Sequence, residues 1–322
     1  SYKVSPDGKR IAVSMDVFAD CGADLDCTVS RLDEREKSKT SGVVYDQLFV
    51  RHWDTWSDGR HSRLFVTTPA SGGKAPAPVL VGAGRNEPVG HVPSRPFGGA
   101  DEYTWSPDGK SLVFSMRVAD RQEPWSTNFD LYLYRDGKPL KNLTASNPAW
   151  DTGPVFSADG RTLYYRAMKR PGFEADRFGL MAMDLASGKV REIAPEWDRS
   201  ADGITLSADG KTIYTTAQHL GQHPLFKVDV ATGKVEQVVG EGTISSFDIA
   251  GDTLAFTRNS LRSGDQLFTT TLSSPAAQRA ITPSAGEVLP DVAFGDYEQF
   301  TFAGWNNETV HGYVVKPWNY EE

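Results

Sequence analysis

Cysteine is almost absent from this chain: of 322 residues only Cys21 and Cys27 are cysteines. A zinc site needs about four nitrogen or sulfur ligands, and no cluster of Cys or His supplies the other two. Long apolar runs are missing as well. No stretch approaches the roughly 20 apolar residues that span a bilayer, and the mean hydropathy is −0.42. Positive charge is in deficit, with a net charge of −8 and a pI near 5.4. No Lys/Arg-rich stripe interleaved with aromatics occurs, which argues against nucleic-acid binding. Long amphipathic helices are lacking too: residues 29–39 are charged on every face and read as a solvated loop or one short helix. No signal peptide is visible, and a motif copy follows residue 1 so directly that the chain reads as starting inside a fold.

What the chain has is repetition. Ser5-Pro6-Asp7-Gly8-Lys9 returns as Ser106-Pro107-Asp108-Gly109-Lys110, Ser157-Ala158-Asp159-Gly160-Arg161 and Ser207-Ala208-Asp209-Gly210-Lys211, at separations of 101, 51 and 50 residues. A period of about 50 built from short strands is the signature of a β-propeller. Asp-Gly supplies the left-handed turn of a hairpin, and an alternating apolar run follows each copy, as in Leu112-Val113-Phe114. Later strands end in further turns, such as Asp184-Leu185-Ala186-Ser187-Gly188 and Asp229-Val230-Ala231-Thr232-Gly233. The pattern predicts an all-β fold of four-stranded blades. Five units are visible: 1–99, 100–148, 149–198, 199–241 and a degenerate 242–286. The first is lengthened by a charged insertion at 18–45 and a Pro/Gly-rich stretch at 69–99. Natural propellers usually have more blades, so about two more are expected ahead of residue 1, seven in all.

The two cysteines sit in the polar stretch Asp20–Cys27, spaced C-x5-C. A local disulfide between Cys21 and Cys27 is the favoured reading, since the loop is short and flexible enough to close, and a pair of reduced thiols is the alternative. The disulfide implies an oxidising compartment and closes so short a loop that it adds only about 2 kcal/mol.

Three further segments carry a family resemblance. Tyr45-Asp-Gln-Leu-Phe-Val-Arg-His-Trp-Asp-Thr-Trp56 resembles the His-Trp-Asp segment of the dipeptidyl-peptidase V and acylaminoacyl-peptidase branch of the prolyl oligopeptidase family. Met168-Lys-Arg-Pro-Gly-Phe-Glu-Ala-Asp-Arg177 is similar to a Gly-Tyr/Phe-Glu-Ala-Asp segment in a blade of the same enzymes. Residues 300–318 resemble the strand pair that opens their α/β-hydrolase domain. The blades alone are equally similar to TolB-like propellers. The resemblance implies a propeller over 1–290 and a linker with the start of an α/β-hydrolase domain over 291–322. These peptidases carry a Gly-x-Ser-x-Gly nucleophile elbow, and none occurs here; Ser71-Gly72-Gly73 and Ser284-Ala285-Gly286 lie in turns. The chain is therefore expected to hold no catalytic residue. It would gate and recognise substrate for a serine exopeptidase that releases dipeptides, or acylated residues, from peptide N-termini. The alternative is a TolB-like protein-binding propeller.

The resemblance implies peptide substrates and the hydrolase domain of the same protein as partners, in a periplasmic or secreted location. No cofactor, metal, nucleic acid or membrane partner is expected, and a homodimer through the missing domain stays open. Glu174 and Asp176 are the first substrate-binding candidates, since a carboxylate at a fixed distance selects a cationic α-amine; turn capping, or pairing with Arg177 or Arg170, is the structural alternative. Arg177 is grouped with them. Arg51, His52, Trp53 and Asp54, with Trp56, form the densest aromatic-polar cluster. The favoured expectation for Trp53 and Trp56 is packing between blades, against a place on a pocket rim. Asp7, Asp108, Asp159 and Asp209 are expected to form turns rather than bind calcium. His219 and His223, in a loop with Gly221 and Pro224, do not present a helical metal pair. Asn142-Leu-Thr and Asn307-Glu-Thr match a glycosylation pattern that often arises by chance.

Overall fold

A computed structural model describes residues 1–70, 72–73 and 76–321. The chain divides into two compact units, Ser1–Glu192 and Ile193–Glu322.

The first unit holds three four-stranded antiparallel sheets. Blade one contains β1 (Tyr2–Val4), β2 (Ile11–Phe18), β5 (Arg60–Thr67) and β6 (Val79–Leu80). Its long insertion carries helix α1 (Leu25–Lys37) and a small hairpin, β3 (Arg51–His52) with β4 (Thr55–Trp56). Blade two contains β7 (Tyr103–Trp105), β8 (Ser111–Met116), β9 (Asp130–Arg135) and β10 (Lys141–Asn142). Blade three contains β11 (Asp151–Phe156), β12 (Thr162–Ala167), β13 (Gly179–Asp184) and β14 (Val190–Glu192). The second unit holds blade four, of β15 (Thr205–Leu206), β16 (Thr212–Thr216), β17 (Leu225–Asp229) and β18 (Val235–Val239). Blade five there contains β19 (Thr243–Ala250), β20 (Thr253–Ser260), β21 (Ser263–Thr271) and β22 (Ser274–Ala280). After the short helix α2 (Ala285–Val288), β23 (Tyr297–Ala303) and β24 (Thr309–Val315) pair as a hairpin. The expected five blades are all present, and the fold is all-β.

The repeated motif closes the first turn of a blade by one circuit. Ser5 Oγ donates to Asp7 Oδ1 at 2.6 Å and accepts from the Arg10 N–H at 2.9 Å, while the Lys9 N–H reaches the same carboxylate oxygen at 3.1 Å. The same bonds recur at Ser106, Ser157 and Ser207. Gly8 sits at φ +70°, where a side chain is strained. The serine hydroxyl and the Lys9 N–H hold the Asp7 carboxyl below the usual carboxylate range. These aspartates are turn formers, as expected, each with its Oδ1 committed to the turn.

The core lies between blades. Along β8, Leu112, Phe114 and Met116 pack with Ala12, Leu64 and Tyr103, whereas Val113 packs with Leu163 and Tyr165. Alternate residues thus face opposite neighbours, and every residue of β8 is buried. In the second unit Tyr214, Leu225, Ile244, Leu254 and Phe256 form the corresponding core.

Residues 29–39 do not form a loop: most of them belong to α1. Asp24 caps it by accepting from the Cys27 N–H at 3.0 Å. Cys21 and Cys27 are disulfide-bonded, with Cα atoms 5.7 Å apart, so the bridge ties the first helical turn to the end of β2. Arg31 and Arg35 lie over the Phe18 ring at 5.0 and 4.8 Å. No helix among the described residues is long and apolar enough to cross a membrane.

Two groups shifted by burial, Asp151 and the half-buried His91, set a pH window for stability. Asp151 is fully buried, and its Oδ1 accepts from Asn147 at 3.0 Å. Burial pushes its carboxyl up to about 7, Asn147 and Thr144 pull it back in part, and Asp130 adds to the rise. From about pH 4 to about pH 7 the unfolded carboxyl ionises while the folded one does not, so Asp151 costs stability as pH rises. His91 behaves in the opposite sense. Burial, the stacked His61 ring at 4.7 Å and nearby Arg95 push it down to about 3. Its stabilising contribution is present above about pH 6.5 and is lost as pH falls through the folded value. Urea titrations should find Asp151→Asn more stable than the parent by about 1–3 kcal/mol near pH 8, with the gain vanishing near pH 4. An equal effect at both pH values would contradict this assignment.

Candidate functional site

In an antiparallel blade the first turn and the connection between the second and third strands lie at opposite ends of the second strand. The Ser-x-Asp-Gly turns occupy the first position. All the candidate substrate residues fall in the second.

In blade one that connection carries the hairpin β3–β4. Arg51 pairs with Trp56 in register and His52 with Thr55, leaving Trp53 and Asp54 in the turn. Trp53 adopts φ +48°, rare for a residue with a side chain. The expectation that Trp53 and Trp56 fill the space between blades is overturned: they are 69% and 62% exposed. A turn with no blade packed on it leaves them outside. Trp53 instead contacts His52 at 5.0 Å and the exposed Phe97 at 5.3 Å. Trp56 stacks on Tyr45 at 6.1 Å, and Arg51 lies 5.8 Å from its ring while donating to the Trp53 carbonyl. Asp54 is exposed.

The equivalent connection of blade three holds Glu174, Asp176 and Arg177. Asp176 closes its own loop, its Oδ2 accepting from the Lys169 and Arg170 N–H groups, each at 2.8 Å. Burial opposes its charge, but these donors and the Arg177 N–H outweigh it and hold the carboxyl below its usual range. Arg177 pairs with Glu192, which also takes Lys169 at 2.6 Å. Gly179 lies close beside this clasp: a Cβ there would stand 2.6 Å from Glu192 Oε1 and press the carboxylate aside. The loop tip is pinned by the Gly172 N–H donating to Thr127 Oγ1 at 2.8 Å. Glu174 is exposed and forms no ion pair among the described residues. Asp176 and Arg177 thus build a stiff loop that presents Glu174.

In blade four the same connection forms a tight turn, with Leu220 at φ +52° and Gly221 at φ +77°. It docks on the terminal hairpin. Gln222 Nε2 donates to the Tyr313 hydroxyl at 2.7 Å, and Gln299 Nε2 donates to the Leu220 carbonyl at 2.7 Å. A Cβ at Gly221 would meet the Tyr313 ring at 2.5 Å. Gln222 Oε1 accepts from the Gly242 N–H at 2.6 Å, so one side chain ties blade five, blade four and the hairpin. Sequence reasoning missed this latch; the one local signal is the Leu-Gly turn pair. His219 and His223 diverge, the first accepting from Arg199 at 3.1 Å and the second meeting Asp202 at 2.5 Å. Among the described residues no group of three or more His, Cys, Asp or Glu could hold a metal. Ser284 is engaged as the cap of α2, with its Oγ accepting from Glu287, and Ser71 lies outside the described residues.

No protein-family model matches the chain. Dipeptidyl-peptidase 5 of Porphyromonas gingivalis is 28% identical over 300 residues, covering 89% of this chain and 41% of that protein. A probable dipeptidyl-peptidase 5 of Aspergillus clavatus is 30% identical over 310 residues, covering 89% of this chain and 42% of its own length. The chain therefore spans about two fifths of the length of these curated relatives. The acylaminoacyl peptidase of Pyrococcus horikoshii superposes with a TM-score of 0.67 over 98% of this chain and 43% of its own, at 16% identity, which speaks to fold alone. A putative TolB of Agrobacterium tumefaciens shares the fold less closely, with a TM-score of 0.51 at 16% identity, over 88% of this chain and 79% of its own.

Tyr313→Phe removes one bond of the latch, worth about 1 kcal/mol. Hydrogen exchange in β23 and β24 should quicken about fivefold, and more in Gly221→Ala, where the added methyl meets the ring. Unchanged exchange in both variants would show that the hairpin does not depend on this turn.

Proposed function

We propose, on the premise that the chain belongs to the prolyl oligopeptidase and acylaminoacyl peptidase family, that it is the non-catalytic, substrate-selecting propeller of a serine exopeptidase. The whole protein releases dipeptides, or acylated residues, from peptide N-termini. Residues 1–290 form the propeller, and 291–322 are a linker and the opening strands of the α/β-hydrolase domain. The carrying observation is that the candidate loops of blades one and three occupy the connection that, in blade four, holds the terminal hairpin. In blade four that end of the blade adjoins the hairpin, from which the proposed hydrolase domain would continue.

In this reading the exposed Glu174 carboxylate receives the cationic α-amine of the substrate, while Asp176 and Arg177 fix the loop that carries it. Arg51, His52, Trp53 and Asp54 form a rim against which peptide side chains and carbonyls rest. A carboxylate at a fixed distance from the nucleophile counts residues from the N-terminus and so favours dipeptide release. The disulfide supports a secreted or periplasmic setting. A TolB-like protein-binding role is the rival. The docked hairpin, read as the opening strands of a hydrolase domain, weighs against it, since a binding propeller has no use for such a strand pair latched to a blade.

Glu174→Gln in the full-length protein tests the reading. KM for a dipeptidyl chromogenic substrate with a free amine should rise about tenfold, roughly 1.4 kcal/mol, with kcat little changed. The N-acetylated substrate should be insensitive. Equal effects on both substrates would remove Glu174 from amine recognition.

A further inference from the structure

A cleft of about 460 Å³ opens in the second unit, where the turn between β20 and β21 meets Tyr297 at the start of β23. It adjoins the same second-to-third-strand end of blade five. Two arginines line it, and they are held differently. Arg258 lies over the Phe268 ring at 4.3 Å and donates one N–H to Gln278 Oε1 at 2.8 Å. Its stem and one nitrogen are thereby fixed, and no carboxylate among the described residues pairs with it. Arg262 lies 5.7 Å from the Tyr297 ring and pairs with Asp296, whose side chain is 81% exposed. An ion pair that exposed contributes little and exchanges readily. Gly242 borders Arg258 with bare backbone: a Cβ there would meet the Asn259 carbonyl at 2.4 Å and Arg258 Cγ at 3.1 Å.

We infer that this cleft is a carboxylate-binding subsite, with Arg258 as the fixed fork and Arg262 as a second cation that trades Asp296 for the ligand. Ser263 and Gln266 supply neutral polar groups on its wall. Glu241 also lines the cleft, so net charge does not draw in small anions. Selection rests on shape, and a planar carboxylate matches a guanidinium fork in a way a spherical anion cannot. Taken with the peptidase reading, on which this identification of the ligand rests, the carboxylate is that of a short peptide. It arrives either as the free C-terminus or as an acidic side chain. Tyr297 belongs to the hairpin latched by Gln222, so docking of the hairpin completes the cleft.

The test is a titration of the isotopically labelled chain with three peptides, following the amide signals of Gly242, Ser260 and Ser263. The peptides are N-acetyl-triglycine, its C-terminal amide, and N-acetyl-Gly-Gly-Glu amide. The free acid should shift these signals saturably, with the simple amide at least about fivefold weaker. Comparable binding of the Glu amide would show that the cleft takes a carboxylate from either source, and its failure that it takes the C-terminus alone. Arg258→Met keeps the apolar cover on Phe268 and should weaken the acid about tenfold. Equal shifts from acid and simple amide, or no shifts, would overturn the subsite, and this comparison needs no variant to fold. The titration involves no hydrolysis, so its outcome is separate from the fate of the peptidase reading.

Discussion

A serine hydroxyl that accepts one backbone N–H and donates to an aspartate two residues on closes the first turn of four blades. The rest of the architecture depends on this constraint. It stores a turn within six residues, independent of what the neighbouring blades supply. Asp-Gly provides the positive φ, and the carboxylate holds the backbone donors that a tight turn leaves without partners. With one end of those four blades locked this way, the other end is free to vary. The connections at that end range from the insertion with α1 and β3–β4 to the two-residue turn between β20 and β21 in blade five.

That division of labour explains what could be read directly and what could not. Blade number, strand order and the role of Asp7, Asp108, Asp159 and Asp209 were legible because each signal lies within a few residues of its partner. The disulfide was half legible: C-x5-C allows closure, but the helix that brings Cys27 over the end of β2 is what forms it. The tryptophans misled for a physical reason. Composition marks Trp as core, yet Trp53 sits at the tip of a two-residue turn with no blade behind it. The Gln222–Tyr313 bond joins residues 91 apart in sequence, a distance that no local pattern spans.

Within the site, stiffness is concentrated where it cannot be seen from outside. Asp176, Arg177 and Glu192 spend their charges on the loop itself. Glu174 and the aromatic hairpin, by contrast, carry polar and ring surface with little internal use. Rigid support beneath uncommitted groups is the pattern by which a recognition surface keeps its geometry without paying it back on binding. The buried Asp151 and the half-buried His91 act separately from that surface. They bias stability toward the middle of the pH range from the core side of the first unit.

The central claim is that selection and bond cleavage reside in different parts of one protein. Labelling with a serine-directed fluorophosphonate, followed by a denaturing gel, tests it most directly. The account predicts that the 322-residue chain stays unlabelled while the full-length protein is labelled. Label on this chain itself would place a nucleophile within it and contradict the account.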